Sequence, residues 1–405
     1  MLAFNPQQFR QQFPFFQQQP DWIYLDNAAT THKPQPVLDA ISHFYQAANS
    51  NVHRGAHRLS QQATVLFEQA RADIAQCINA RQPTEVIFCS GSTAALNQIA
   101  FGLMHGYLKA GDRILLSALE HHANIVPWQL HCQRHGVIID VIPLTKEHHL
   151  DQQAYQQLLT LKPKLVSLTQ VSNVLGHITP LPQMLQQAKA VGALTVVDGA
   201  QGIVHLGADV QQLDCDFYVF SGHKCYGPTG IGILYGKQAA LEQLTPLLGG
   251  GEMIAEVSFS HTSFNQLPFR LEAGTPPIAG AIGLASALKF IQSYNKNNII
   301  LHKQDLLNEF YQGLKKIPGL DILSSPVHNA GIVSLNVQAE HPSDVASLLD
   351  QQYVAVRGGK HCAMPFFDQL ALPGAVRFSF APYNTSADVA SSLQALKQAV
   401  EILTA

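Results

Sequence analysis

The sequence is poor in features that fix a protein in place by covalent bonds, metal or membrane. Six cysteines stand alone at positions 77, 89, 132, 215, 225 and 362 of 405 residues, and none forms a C-x-x-C pair. That spacing argues against a disulfide framework or a structural zinc site and fits a reducing, cytoplasmic setting. Charged residues make up only 13% of the chain, with a formal net charge of −3. Such a balance gives no electrostatic reason to bind nucleic acid or an anionic membrane. No apolar run is long enough to span a bilayer. The opening Met-Leu-Ala-Phe-Asn-Pro lacks the basic and apolar regions of a secretory leader. There is no G-x-G-x-x-G, no Walker lysine and no internal repeat, which weakens nucleotide-binding readings. What remains is a chain with 46% hydrophobic residues, long enough to bury a large core in two domains.

The most informative stretch is 196–230. An apolar run at Ala193–Val197 leads into Asp198-Gly-Ala-Gln201. A second run, Phe217–Phe220, leads into Ser221-Gly-His223-Lys224-Cys225-Tyr-Gly-Pro-Thr-Gly230. Buried strands that each stop at a polar or charged group suggest an open α/β sheet, whose ligands sit beyond the carboxyl ends of the strands. Alone, Lys224 reads as a loop lysine and Asp198 as a helix cap. Delivered together they are what pyridoxal phosphate requires: a lysine for a Schiff base and an acid to keep the pyridine nitrogen protonated.

Further strands are expected at Glu85–Cys89, Arg113–Ser117, Val137–Ile142 and Leu165–Thr169, alternating with helical patterns. This alternation predicts a mostly parallel sheet covered by helices. The junction Ser90-Gly91-Ser92-Thr93 before the helical 94–104 is suited to an anion. Glu120-His121-His122-Ala-Asn124 and Val171-Ser172-Asn173 fall on strand-end loops. The paired histidines lack matching ligands at metal spacing, so no metal is expected. His148 and His149 read as solvated loop residues. The apolar, small-residue helix after Thr275-Pro276-Pro277 should be buried. The C-terminal part reads helix 305–317, strand 331–337, helix 343–352, strands 353–357 and 375–381, and helix 386–403. That is enough for a smaller α/β domain.

Val356-Arg357-Gly-Gly-Lys360-His361-Cys362-Ala-Met-Pro places one cysteine among basic neighbours, an environment that favours a thiolate. The other cysteines read as packing residues, with Cys225 a second thiol beside the candidate site. Lys360, two residues before Cys362, is positioned by sequence to raise its thiolate fraction. A lysine turned to solvent is the alternative. Arg377, alone in an apolar strand, calls for a partner: either a structural salt bridge or a substrate carboxylate bound in bidentate fashion.

Arg-x-Gly-x-His-Cys-Ala resembles the active-cysteine segment of group II cysteine desulfurases, the SufS/CsdA-like branch of the class V, fold-type I enzymes. The resemblance runs through Tyr-Leu-Asp-Asn-Ala-Ala-Thr, Asn-Val-His-Arg-Gly, Glu-His-His-Ala-Asn-Ile-Val-Pro-Trp, Ser-Asn-Val-Leu-Gly, Asp-Gly-Ala-Gln, Ser-Gly-His-Lys, Glu-Ala-Gly-Thr-Pro and Tyr-Asn-Thr. Phe-Asn-Pro-x-Gln-Phe-Arg and Phe-Ala-Pro-Tyr-Asn-Thr lean toward its CsdA-like side. Lys360 and Cys225 depart from the family pattern, where a neutral or histidine residue and a leucine are usual.

The resemblance implies a fold-type I α/β architecture. An N-terminal arm (1–20) would pack on the small domain. A large domain (21–270) would hold a seven-stranded, mostly parallel sheet, and a small domain (271–405) the active cysteine. It implies pyridoxal phosphate bound through Lys224, Asp198 at the pyridine nitrogen, Gln201 at the ring oxygen and His121 stacked on the ring and assisting proton transfer. Ser92, Thr93, Ser221 and His223 would hold the phosphate, with Thr275 reaching in from a second subunit. Asn173, Arg357 and Arg377 would hold the substrate, and Cys362 would be the nucleophile. The implied activity turns L-cysteine, and plausibly selenocysteine, into alanine, with a persulfide on Cys362. The implied partners are a second copy of the chain and a SufE/CsdE-like sulfur acceptor, and the pathway implied is iron–sulfur cluster assembly. An aminotransferase or kynureninase-like lyase would need no Cys362. A non-catalytic sulfur relay would need no Lys224.

Overall fold

The computed structural model describes residues 2, 4–338 and 340–404. Seven strands form the main sheet: β1 (Val86–Cys89), β2 (Arg113–Ser117), β3 (Ile138–Ile142), β4 (Leu165–Thr169), β5 (Leu194–Asp198), β6 (Phe217–Ser221) and β7 (Gly232–Gly236). Their order is β1-β7-β6-β5-β4-β2-β3. Only β7 runs against its neighbours, so the other six strands end on one edge. The α/β reading with a mostly parallel sheet is borne out. β7 was not foreseen, because it is a short run bounded by glycine at both ends.

The central strands are buried almost throughout because both faces are covered. Val166, Leu168, Val197, Tyr218 and Phe220 point to one core, together with helices Arg58–Cys77, Leu181–Ala190 and Ile278–Gln292. Leu165, Val196, Phe217 and Val219 point to the other, beneath Ser92–Gly106 and Val126–His135. This is the period-two alternation of a strand, buried twice. Helix Ile278–Gln292 is buried along most of its length, as its composition implied. It crosses helix Gln35–His43 so closely that a Cβ on Gly283 would stand 2.8 Å from the Ile41 side chain.

A second sheet is antiparallel: β8 (Leu320–Ile322), β9 (Ile332–Val337), β10 (Arg357–Gly359) and β11 (Ala375–Ser379), in the order β8-β9-β11-β10. Helices Lys296–Leu314, Pro342–Asp350 and Ser386–Leu403 cover it. The expected strand at 353–357 is instead two pieces. Val354–Ala355 pairs in parallel with Ile23–Tyr24, and β10 starts only at Arg357. The N-terminal segment buries Phe9, Phe13 and Phe16 among Val37, Tyr226, Ala287 and Tyr383, and Arg10 bonds Asp388 at 3.0 Å.

One buried ion pair ties helix Arg58–Cys77 to β1. Arg71 is 1% exposed and donates to both oxygens of Glu272, at 2.6 and 2.9 Å, and to the Val86 carbonyl. Glu272 also accepts the Phe88 N–H at 2.6 Å. Breaking a buried pair leaves an uncompensated charge, which costs about 3–5 kcal/mol. Arg71→Leu should therefore lower the unfolding free energy measured by chemical denaturation by an amount in that range, and adding Glu272→Leu should recover part of it.

His53, in the polar loop before that helix, bonds Glu252 through Nδ1 at 2.8 Å and Glu68 through Nε2 at 2.9 Å. The bond to Glu68, reinforced by both carboxylate charges, outweighs the opposing effect of burial and raises the imidazole pKa. A raised histidine pKa contributes stability that is complete below the unfolded value, about 6.5, and is lost as pH rises through the folded value. The stability difference between wild type and His53→Gln should thus be larger at pH 5.5 than at pH 9, measured by urea titration.

Candidate active site

Five parallel strands deliver side chains to the edge where they end. Asp198 is the last residue of β5, in register between Thr169 of β4 and Val219 of β6. Ser221 ends β6, and Lys224 follows in the turn Gly222–Lys224. Ser92 and Thr93 open the helix after β1, His121 follows β2, and Asn173 follows β4. A cavity of about 230 Å³ is lined by all of these, with Gln201, His223, Arg357, His361, Cys362 and Arg377. Of the predicted site residues only Thr275 lies elsewhere, in a groove with Gly274, Leu247 and Leu248.

The Lys224 turn is fixed from outside. The His223 carbonyl accepts from the Thr31 N–H, from the Thr30 and Thr31 hydroxyls and from Lys33 Nζ, all at 3.0–3.2 Å. Segment 30–33 therefore anchors the turn that carries Lys224, a contact that no local sequence signal marks. Burial lowers the Lys224 pKa, against the attraction of Asp198. Burial raises that of Asp198, whose Oδ1 accepts the Ala200 N–H at 2.9 Å. His121 is held neutral: burial, with the Lys224 charge beside it, pushes its pKa to about 3. Its Nδ1 accepts the Ala123 N–H, so the proton sits on Nε2. Beside it in sequence, buried Glu120 accepts from Ser117 Oγ, Asn124 Nδ2 and the Thr169 N–H, joining the ends of β2 and β4.

Arg377 and Arg357 are direct cross-strand partners on β11 and β10. Like charges so placed repel. Asp26 resolves the conflict, with Oδ1 accepting from Arg377 at 2.9 Å and Oδ2 from Arg357 at 3.0 Å. Arg377 also donates to the Asn173 carbonyl at 3.0 Å, while its buried Nε has no partner among the described residues. The salt bridge that Arg377 called for is thus present, and one donor is left over.

The cysteine loop is clamped to the large sheet. Asn173 Nδ2 donates to the His361 carbonyl at 2.7 Å, and the His122 N–H donates to the Cys362 carbonyl at 2.8 Å. The Met364 N–H donates to His122 Nε2 at 2.9 Å. His361 and Cys362 take left-handed backbone angles, φ 47° and 56°. Cys362 is exposed.

Three expectations need correction. Lys360 does not face Cys362: its Nζ pairs with Asp368 at 2.5 Å. Cys225 is not a second site thiol. It is buried, its Sγ lies against the Ser221 and Gly222 carbonyls, and burial pushes its pKa up to about 12. His148 and His149 are not simply solvated, since both are half-buried and His149 stacks on His177 with centroids 4.3 Å apart.

With this geometry in place, the comparisons with known proteins can be read. The aminotransferase class-V family model matches residues 23–391. The chain belongs to that family, among its cysteine desulfurases. It is 46% identical over 405 residues to a probable cysteine desulfurase of Vibrio cholerae, covering 99% of this chain and all of that one. The crystal structure of the cysteine desulfurase CsdA from Escherichia coli, in its S-sulfonic acid form, superposes with a TM-score of 0.92 at 40% identity, covering 99% and 100% of the two chains. The apo cysteine desulfurase from Thermococcus onnurineus gives 0.94 at 36% identity, with the same coverage. The aminotransferase, kynureninase-like and non-catalytic relay alternatives fall away.

Two outcomes follow from the thiol geometry. Iodoacetamide at pH 7.5 should label Cys362 in the native protein and spare Cys89, Cys132, Cys215 and Cys225, whose thiols burial pushes up to about 11–12. Peptide mapping by mass spectrometry reads this directly. Lys360→Gln should leave the pH midpoint of Cys362 alkylation unchanged, because the ammonium is paired with Asp368 instead.

Proposed function

We propose that this cavity binds pyridoxal phosphate and L-cysteine, releases alanine and leaves the sulfur on Cys362 as a persulfide. The observation that carries it is one cavity in which Lys224 and Asp198 of the large sheet meet Cys362 and Arg377 of the small one. The residues fit that cofactor. Helix Ser92–Gly106 has no side-chain N-cap, so its first turn offers donors to a phosphate, next to the Ser221 hydroxyl. A Cβ on Gly91 would come within 3.2 Å of that hydroxyl and narrow the cradle. Buried Gln201 donates to the Ala28 carbonyl and keeps its Oε1 without a partner among the described residues. Bound there, the cofactor supplies an electron sink for the pair released when the Cα proton leaves.

The chain's own groups do the rest. Asp198 would pair with the pyridine nitrogen, its strand-end burial making it a strong partner for a buried N–H. Lys224, with a pKa lowered by burial, accepts the Cα proton more readily as a neutral amine. Neutral His121 stacks and passes protons without adding a charge. Arg377 holds the substrate carboxylate with its free Nε, and Asn173 and Arg357 frame that end. The Cys362 thiolate attacks the substrate sulfur, forming an S–S bond as the Cβ–S bond breaks. The electron pair leaves with carbon, which takes a proton to become alanine. Selenocysteine satisfies the same chemistry.

We further infer a homodimer in which Thr275 completes the phosphate site of the partner. Exposed Leu248, Val257 and Phe259 lie on the segments next to it in sequence and need cover. A SufE/CsdE-like protein or a small thiol takes the sulfur, in a reducing cytoplasm that keeps all six cysteines free. Iron–sulfur cluster assembly is the proposed destination. No helix of the described residues is long and apolar enough to cross a membrane.

The purified protein should be yellow and form alanine from L-cysteine. Lys224→Ala should lose the visible cofactor band and at least 10³-fold in alanine rate, in line with removing a proton-transfer group. Cys362→Ser should keep the band and lose persulfide formation. A Cys362→Ser enzyme that still desulfurates cysteine at the wild-type rate would overturn the reading.

A further inference from the structure

The clamp on the cysteine loop comes from two strand-end loops of the large sheet. Asn173 holds the chain just before Cys362, at the His361 carbonyl, and His122 holds it just after, twice. The His122 N–H donates to the Cys362 carbonyl at 2.8 Å, and its ring Nε2 accepts the Met364 N–H at 2.9 Å. Met364 opens the short helix Met364–Gln369, whose cap residue, Ala363, supplies no side-chain acceptor. A backbone N–H can only donate, so His122 Nε2 carries a lone pair, and the ring is neutral with its proton on Nδ1. The other two bonds end on carbonyls, and this one alone ends on a group that titrates.

His122 directly follows His121, which lines the cavity, and the turn His122–Asn124 is held by the Asn124 bond to Glu120. One residue thus couples the loop that carries His121 to the loop that carries the thiol. Its ring is half-buried, and burial lowers its pKa. Protonation would set a second N–H against that of Met364. The bond is therefore complete above the ordinary value, about 6.5, and is lost as pH falls through the lowered one. The other titratable groups on the two loops are Glu120, His121, His361, Cys362 and Lys360, the last paired with Asp368. Burial pushes Glu120 up to about 7 and both His121 and His361 down to about 3. Glu120 also changes charge near neutrality, but a substitution at position 122 leaves it in place, so the two effects are separable.

We propose that His122 is a positioning residue for the sulfur-transfer step, its neutral Nε2 holding Met364, and through it Cys362, in the place from which the thiolate attacks. This rests on the desulfurase reading above and adds to it a residue that touches neither cofactor nor substrate. A nucleophile on a loosened loop spends less time in line with the substrate sulfur, so the loss falls on the rate of attack and not on substrate binding.

The test follows hydrogen exchange at Met364 in the cofactor-loaded enzyme at pH 5.5 and pH 8, corrected for intrinsic rates. Wild-type protection should fall about 3- to 10-fold at the lower pH, the worth of one hydrogen bond. His122→Leu should show that loss at both pH values. His122→Gln, whose Oε1 reaches as far as Nε2 and does not titrate, should keep protection at both. In single turnovers at pH 8, His122→Leu should keep the visible cofactor band and the wild-type KM for L-cysteine. It should load sulfur onto Cys362 about 3- to 10-fold more slowly, and His122→Gln should recover most of that rate. Wild-type protection and loading rate in His122→Leu, or the same fall in protection in His122→Gln as in wild type, would overturn the proposal alone. A wild-type protein with no visible band and no persulfide would instead overturn the desulfurase reading, and the role of the clamp with it.

Discussion

The architecture turns on a carboxylate shared by two arginines. Arg377 is buried on the small sheet, where an unpaired guanidinium would be untenable. Asp26, from the N-terminal segment ahead of β1, pairs with it and with its cross-strand neighbour Arg357, so one positive charge is left over. Arg377 then reaches the Asn173 carbonyl beyond β4 of the large sheet. One cation thus fixes the small sheet, the N-terminal segment and the end of a large-domain strand relative to one another. The Cys362 loop lies between β10 and β11, so this thiol is positioned by the same contacts.

The remainder of the site follows from parallel strands. Because six of seven strands end on one edge, groups far apart in sequence arrive together, and most are buried or partly buried on arrival. Burial does the electrochemical work: it raises Asp198, lowers Lys224 and keeps His121 and His223 neutral, the latter with a pKa of about 4. The hydrogen-bond partners that hold these groups are backbone carbonyls and amides more than other charges. The His223 carbonyl, with its four donors, is the clearest case.

Much of this was legible in the sequence because strand-end chemistry leaves a local mark. An apolar run that stops at Asp198, or at Ser221 and Lys224, announces both the strand and its product. What was not legible depends mostly on distance. Asp26 and Arg377 are 351 residues apart, and nothing near either one names the other. β7 hides between glycines. Lys360 stands two residues before Cys362 in sequence, but Asp368 takes the ammonium. Cys225, next to Lys224 in sequence, is buried with its Sγ against the Ser221 and Gly222 carbonyls.

The central claim is that the large-domain lysine and the small-domain cysteine act on one substrate molecule in one cavity. A single turnover of cysteine carrying isotopically labelled sulfur, run without a thiol acceptor and resolved by intact-protein and peptide mass spectrometry, tests it most directly. The account predicts one labelled sulfur on Cys362 for each alanine released, with no label on the other five cysteines. Alanine released without labelled sulfur on Cys362, or label spread over several cysteines, would contradict it.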